Sequence, residues 1–259
     1  MTQTLSIVKI GGNLIEDDAA LHSFLTAFSE LSGPKILVHG GGKKASEVLN
    51  KLGIAPKMLN GRRITDKATL EVVIMVYGGL VNKSLVAGLQ ALGCNALGMS
   101  GADANAIQAE KRPVQEIDYG FAGDITAVNR GTLDRILQLG LTPVFCALTH
   151  DGKGQLLNTN ADTIASEIAI RLSDRYQTVL YYCFELPGVL EDINDPQSII
   201  AKINGTSYQK LVDKGIIAKG MLPKMHNAFA SLKNGVREVR IGNLNVFQKE
   251  KNNYTTLVE

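Results

Sequence analysis

The 259-residue sequence predicts an α/β protein with a mainly parallel sheet, large enough for one domain or for two lobes. Short apolar runs at 5–10, 36–39, 141–148 and 178–183 alternate with amphipathic stretches of helical period, the order that βαβ units require. The first two runs end on glycine, at Gly11 and Gly12 and again at Gly40, Gly41 and Gly42. Ligands of parallel sheets bind beyond the C-terminal strand ends, so function is expected at those glycine turns.

Each element has a local cause. In residues 35–44, KILVHGGGKK, a buried strand runs into three glycines and then a helix over 43–52. Glycine lacks a Cβ, so its N–H groups approach a ligand closely, and the following helix presents its positive end. The result is a ready anion site, although the same turn serves many sheets with no ligand. Lys9 stands at the end of the first strand, and Asp17 and Asp18 suit the first turn of a helix running to about Leu31. In KMLNGRRIT the Asn60-Gly61 pair signals a hairpin. Of Arg62 and Arg63 behind it, one is expected to face water and the other to reach a carboxylate, which guanidinium geometry favours.

Residues 66–93 form one long helix with an apolar stripe wide enough for a subunit interface, or for burial within its own chain. A strand over 95–101, an antiparallel ribbon from 106–114 and 120–128, and a helix over 130–140 follow. In LLNTNADTIASEIAIRL, Asp162 opens an amphipathic helix beside Asn158 and Asn160. One capping residue suffices there, so some of the three are expected to orient another group. Beyond a turn at 186–190 and a helix over 206–214, Met221-Leu222-Pro223-Lys224 starts another helix. Lys224 then opposes the helix dipole, a placement better understood with an anion nearby. A last strand spans 237–242.

Composition removes several classes. A net charge of +2 with no basic stripe argues against a nucleic-acid partner. Cys94, Cys146 and Cys183 are odd in number and lack a C-x-x-C pair, so neither zinc nor a disulfide framework is expected. The first residues lack the basic and apolar regions of a signal peptide. No apolar stretch is read as membrane-spanning, and the expected compartment is the cytoplasm. Neither the Walker pattern G-x-x-x-x-G-K-[ST] nor the protein-kinase HRD and DFG motifs occur.

Taken together, IVKIGGN, LVHGGGK, NGRRIT, MSGADANAI, NTNAD and GMLPK resemble the amino acid kinase family, in order and over nearly the whole chain. The pairing of NGRRIT with NTNAD points to its acylglutamate-phosphorylating members. The resemblance implies a three-layer α/β/α sandwich on one continuous sheet. An N-terminal lobe, 1–172, would bind the acylglutamate and dimerise, and a C-terminal lobe, 173–259, would bind ATP. The implied reaction is ATP-dependent phosphorylation of the side-chain carboxylate of N-acetyl-L-glutamate, or of a related N-acylglutamate, in arginine biosynthesis. Mg²⁺ would be bound mainly through the nucleotide phosphates, with no metal site of the protein's own. Partners would be small molecules and a second copy of the chain, without nucleic acid or membrane.

Carried over position by position, Lys9 and Lys224 contact the phosphoryl group in flight and Asp162 orients both lysines. Gly41, Gly42, Arg63 and Asn158 hold the acylglutamate. Gly11, Gly12, Glu185, Leu186, Pro187, Gly188, Val189, Leu190, Ile216, Ile217 and Ala218 line the nucleotide site. The residue types suit the chemistry. A carboxylate nucleophile with a free pKa of about 4.3 is ionised at neutral pH and needs no general base. None of His22, His39, His150 or His226 sits in a base motif. Lysines, Mg²⁺ and loop N–H groups would offset the repulsion between that carboxylate and a triphosphate.

The chain also departs from the family pattern. Phe184-Glu185-Leu186-Pro187-Gly188 stands where members commonly carry an Asp-containing turn, and Ala104 replaces a glycine. Only eight residues precede Lys9, without the helical arm of arginine-inhibited members, so a dimer without arginine feedback is expected. A carbamate, aspartate, glutamate or UMP kinase on the same scaffold stays open, as does a catalytically silent nucleotide-binding regulator. The acyl group, acetyl or a larger one such as succinyl, is open as well.

Overall fold

The computed structural model describes residues 3–59, 61–217, 221–248 and 253–259, without the Pro223 side chain. Asn60 of the expected turn, Ala218 of the expected nucleotide site, and the Lys219-Gly220 pair lie outside the described residues. The chain divides into two compact units, one of Met1–Lys35 with Ala165–Glu259 and one of Ile36–Ile164.

In chain order, β1 (Thr4–Ile10), α1 (Gly12–Glu16), α2 (Asp18–Ser29), β2 (Lys35–His39) and α3 (Gly42–Lys51) open the fold. A small hairpin, β3 (Met58–Leu59) and β4 (Arg62–Arg63), precedes the helical run α4 (Lys67–Val73), a π-wound stretch (Ile74–Val81) and α5 (Asn82–Ala91). Next come β5 (Ala96–Met99), β6 (Ile107–Lys111), β7 (Gly123–Val128), α6 (Arg130–Gln138), β8 (Thr142–Cys146), β9 (Leu148–His150), β10 (Leu156–Asn158) and α7 (Ala161–Leu172). The remainder is β11 (Gln177–Cys183), β12 (Lys202–Ile203), α8 (Gly205–Asp213), α9 (Met221–Lys233), β13 (Glu238–Gly242) and β14 (Thr255–Leu257).

In the unit holding both chain ends, the strand order is β12-β14-β13-β11-β1. β1, β11 and β13 run parallel, while β14 lies antiparallel to β13. Leu5, Ile7 and Ile10 of β1 and Leu180 and Tyr182 of β11 are fully buried, as expected of a parallel sheet covered on both faces. In the other unit, β2, β8 and β5 form a parallel set and β10-β9-β6-β7 a second sheet. The β6–β7 ribbon is antiparallel, with an irregularity between Gln108 and Ala109. Parallel pairing dominates, and the α/β class read from the sequence holds.

Two local expectations need correction. The helix expected over 66–93 is continuous from Lys67 to Ala91, but its centre, Ile74–Val81, winds as a π-helix. That same run, with a mean hydropathy of 1.7 over its most apolar window, is long and apolar enough to span a membrane by length and composition. Counting uninterrupted apolar residues missed it because Lys67, Glu71 and Lys83 break the run. Val72, Val73, Val76, Leu85 and Leu89 are buried within the unit, the pattern of a core helix.

Candidate active site

The unit of residues 36–164 holds a cavity of about 170 Å³, lined among others by Gly40, Gly42, Arg62, Arg63, Tyr77 and Asn158. Its floor follows from the glycine loop. Gly41 has φ 151°, a left-handed conformation, and a Cβ there would stand 2.8 Å from the Tyr77 ring. Only glycine lets the loop pass that close to Tyr77 and begin α3 at Gly42. Gly41 therefore packs against Tyr77 behind the lining, while Gly40 and Gly42 face the cavity.

Arg63 is buried, at 7% exposure. Its Nη2 donates to the Gly42 carbonyl at 2.8 Å and to Ser46 Oγ at 2.7 Å. Its Nε and Nη1 are buried with no hydrogen-bond partner. A buried guanidinium with open donors is costly unless an anion meets it. Burial pushes the Tyr77 hydroxyl up in pKa, and the neighbouring Arg63 charge pulls it partly back. Asn158 is fixed by a short relay: its Nδ2 donates to Thr65 Oγ1 at 2.9 Å, and Thr65 Oγ1 donates to the Arg63 carbonyl at 3.0 Å. Gly120 makes this possible, since a Cβ there would lie 2.1 Å from the Thr65 carbonyl oxygen.

Arg62 does not simply face water, as expected of one arginine of the pair. It is half-buried and lines the same cavity. Burial and the adjacent Arg112 charge lower its pKa, while Asp124 pulls the other way. Arg112 itself is gripped by Asp124 through Nε and Nη2. At the start of α7 the cap is Asn160, whose Oδ1 accepts from the Asp162 and Thr163 N–H groups at 2.8 and 3.1 Å. Asp162 itself is half-buried in the first turn.

Below the loop, His39 is fully buried, and burial drives its pKa down from 6.5 to about 4. Its Nδ1–H donates to the Gly40 carbonyl at 2.7 Å, so Nε2 accepts from Asn82 Nδ2 at 3.0 Å. Asn82 also donates to the Val144 carbonyl. His39 is a neutral prop for the glycine loop.

The unit of both chain ends carries the two lysines. Lys9 is the register partner of Tyr182 across β1 and β11. Lys224, in the first turn of α9, holds its Nζ 5.3 Å from the centre of the Tyr182 ring. Burial pushes the Cys183 thiol up to about 12, and the Lys9 and Lys224 charges both pull against that shift. Lys9 in register and Lys224 through its ammonium both lie beside Tyr182, near the C-terminal end of β11. Gly11 N–H donates to the Cys183 carbonyl at 2.8 Å, and Gly12 starts α1. Asn13, one residue on, donates to the Glu185 carboxylate.

The segment 185–190 is braced from β13 and β14. Val189 N–H donates to Thr255 Oγ1 at 2.8 Å, and a Cβ on Gly242 would meet the Pro187 carbonyl at 2.3 Å. Ile217 is buried and Ile216 half-buried after α8. Sequence reasoning missed Ser46, Tyr77, Asn82 and Thr255, which act through contacts far apart in the chain that no local pattern marks. It also gave no role to Thr65, although that residue closes NGRRIT.

Known proteins resemble this chain over nearly its whole length. The amino acid kinase family model matches residues 4–243. Acetylglutamate kinase of Bacteroides fragilis is 52% identical over 241 residues, covering 93% of this chain and 92% of that protein. The acetylglutamate kinase of Methanopyrus kandleri is 39% identical over 245 residues, covering 93% of this chain and 95% of its own. Among solved structures, smu.665 from Streptococcus mutans UA159 matches with a TM-score of 0.81 over 98% of both chains at 26% identity.

Proposed function

The chain belongs to the amino acid kinase family, and from that premise we propose that it phosphorylates the side-chain carboxylate of N-acetyl-L-glutamate or a related N-acylglutamate. ATP is the phosphoryl donor, and the step serves arginine biosynthesis. The observation that carries the acceptor class is Arg63, whose buried Nε and Nη1 stand open beside a cavity floored by the glycine loop. An amino-acid α-carboxylate satisfies those donors.

The acceptor's side-chain carboxylate oxygen attacks the γ-phosphorus, the bond to the β,γ-bridging oxygen breaks, and ADP leaves with the electron pair. No proton moves, so no general base is required. Lys9 and Lys224 neutralise charge on the transferred group, and Asp162 serves as the orienting carboxylate. Gly42, Arg63 and Asn158 hold the acceptor so that its reacting carboxylate is aimed, and Gly41, packed on Tyr77, shapes the loop behind them. Gly11, Gly12, the segment 185–190, Ile216 and Ile217 receive the nucleotide.

Mg²⁺ accompanies ATP. In our reading the ion is held chiefly by phosphate oxygens and water. On the same reading residues 1–172 serve the acceptor and dimerisation and 173–259 serve ATP, with Gly11 and Gly12 of the loop after β1 joining the ATP side. The subunits pair through the helical run 67–91, where Met75 and Leu80 are 58% and 51% exposed. Three free, buried cysteines fit a reducing cytoplasm. ADP release measured against a panel of N-acylglutamates, carbamate, aspartate, glutamate and UMP tests the assignment. Turnover confined to the N-acylglutamates is expected. Turnover of another acceptor, or ATP binding with none, would replace it.

A further inference from the structure

The Phe184 ring, in the turn after β11, has a definite neighbour. Lys224 Nζ lies 5.2 Å from the centre of the Phe184 ring, as well as 5.3 Å from that of Tyr182. The two aromatic residues are two positions apart at the C-terminal end of β11, a spacing that turns both side chains to one face. Tyr182 is fully buried and Phe184 half-buried, so one ring is fixed in the core and the other stands at the strand end.

Phe184 is itself braced. Its N–H donates to the Gly242 carbonyl at 2.9 Å, and a Cβ on Gly11 would come within 3.3 Å of the Phe184 Cβ. One residue further, Glu185 accepts from Asn13. The loop after β1 thus locks the backbone that presents the ring.

We propose that Tyr182 and Phe184 are positioning residues whose ring faces form an aromatic seat for the Lys224 ammonium. Near a helix N-terminus an ammonium is repelled by the dipole. A ring face attracts it through the quadrupole and leaves its full charge in place. The seat fixes Lys224 while keeping its charge available to an incoming phosphoryl group. The inference rests on the proposal that Lys224 acts in phosphoryl transfer.

The test replaces Phe184, in the full chain, by phenylalanines carrying one, two and three ring fluorines. These keep the shape and progressively weaken the ring face. kcat is expected to fall stepwise, reaching roughly 3- to 30-fold, with KM for the N-acylglutamate unmoved. Phe184→Tyr should retain activity. A kcat that is flat across the fluorine series would overturn the seat. A second readout needs no turnover. The Lys224 Cε protons should show an upfield ring-current shift that Phe184→Leu diminishes, and an unshifted wild-type resonance would also overturn the seat. Full activity in Lys224→Ala would instead remove the underlying role, with the ring-current shift still in place to tell the two failures apart.

Discussion

Arg63 Nη2 donates to the main-chain carbonyl of Gly42 at 2.8 Å, tying the hairpin of β3 and β4 to the first residue of α3. The bond couples the guanidinium to the glycine loop and leaves Nε and Nη1 for a ligand. Lysine has one nitrogen and cannot serve both partners. Arg63→Lys is therefore expected to raise KM for the N-acylglutamate about 10- to 100-fold, the scale of losing a charge-assisted hydrogen bond. KM for ATP should stay within a factor of two or so, because the variant leaves the nucleotide contacts in place. Steady-state kinetics with each substrate varied in turn separates the two.

Gly41 gives a sharper steric test. At φ 151°, with the Tyr77 ring 2.8 Å from where a Cβ would stand, alanine is strained twice over. Gly41→Ala should cost on the order of 1–3 kcal/mol and weaken acceptor binding, read by urea melts and calorimetry. The double variant Gly41→Ala with Tyr77→Leu relieves the clash and should recover part of the stability.

How much of this was legible in the sequence differs by kind of residue. The glycine turns after β1 and β2 could be read because an apolar run meeting glycine constrains the backbone locally. Lys9, Arg63, Asn158 and Lys224 stood out because each is a polar residue in a place that packing or capping alone does not require. The supports could not be read. Tyr77 reaches Gly41 from 36 positions further along the chain, and Asn82 reaches His39 only once the helical run 67–91 packs. Arg62 was misjudged because alternation along a two-residue strand says little when a neighbouring ion pair, Arg112 with Asp124, shapes the wall. The π-wound centre of that helical run carries no sequence mark beyond Gly78 and Gly79.

His39 predicts a pH dependence of stability. Burial lowers its folded pKa from 6.5 to about 4, so on acidification the unfolded chain takes up the proton first. Stability from this group is complete above pH 6.5 and is lost as pH falls towards 4. The loss is on the order of 3 kcal/mol. Urea denaturation at pH 4.5 and pH 7 should show it, and His39→Gln should flatten the difference while leaving a donor for the Gly40 carbonyl.

Thr255 bears on the nucleotide side. Its hydroxyl accepts from Val189 N–H at 2.8 Å within a buried setting, and valine would leave that donor unmet. Thr255→Val should raise KM for ATP about 5- to 100-fold, matching roughly 1–3 kcal/mol for an orphaned buried group. Thr255→Ser should restore it.

The most direct measurement is hydroxylamine trapping of acyl phosphate, with wild type and Lys224→Ala each given ATP, Mg²⁺ and N-acetyl- or N-succinyl-L-glutamate. The expected result is hydroxamate from wild type with at least one N-acylglutamate, and a kcat at least ~10²-fold lower in Lys224→Ala, the scale for losing one preorganised charge donor. Hydroxamate formed at the wild-type rate by Lys224→Ala, or none formed by a folded, ATP-binding wild-type protein, would contradict the account.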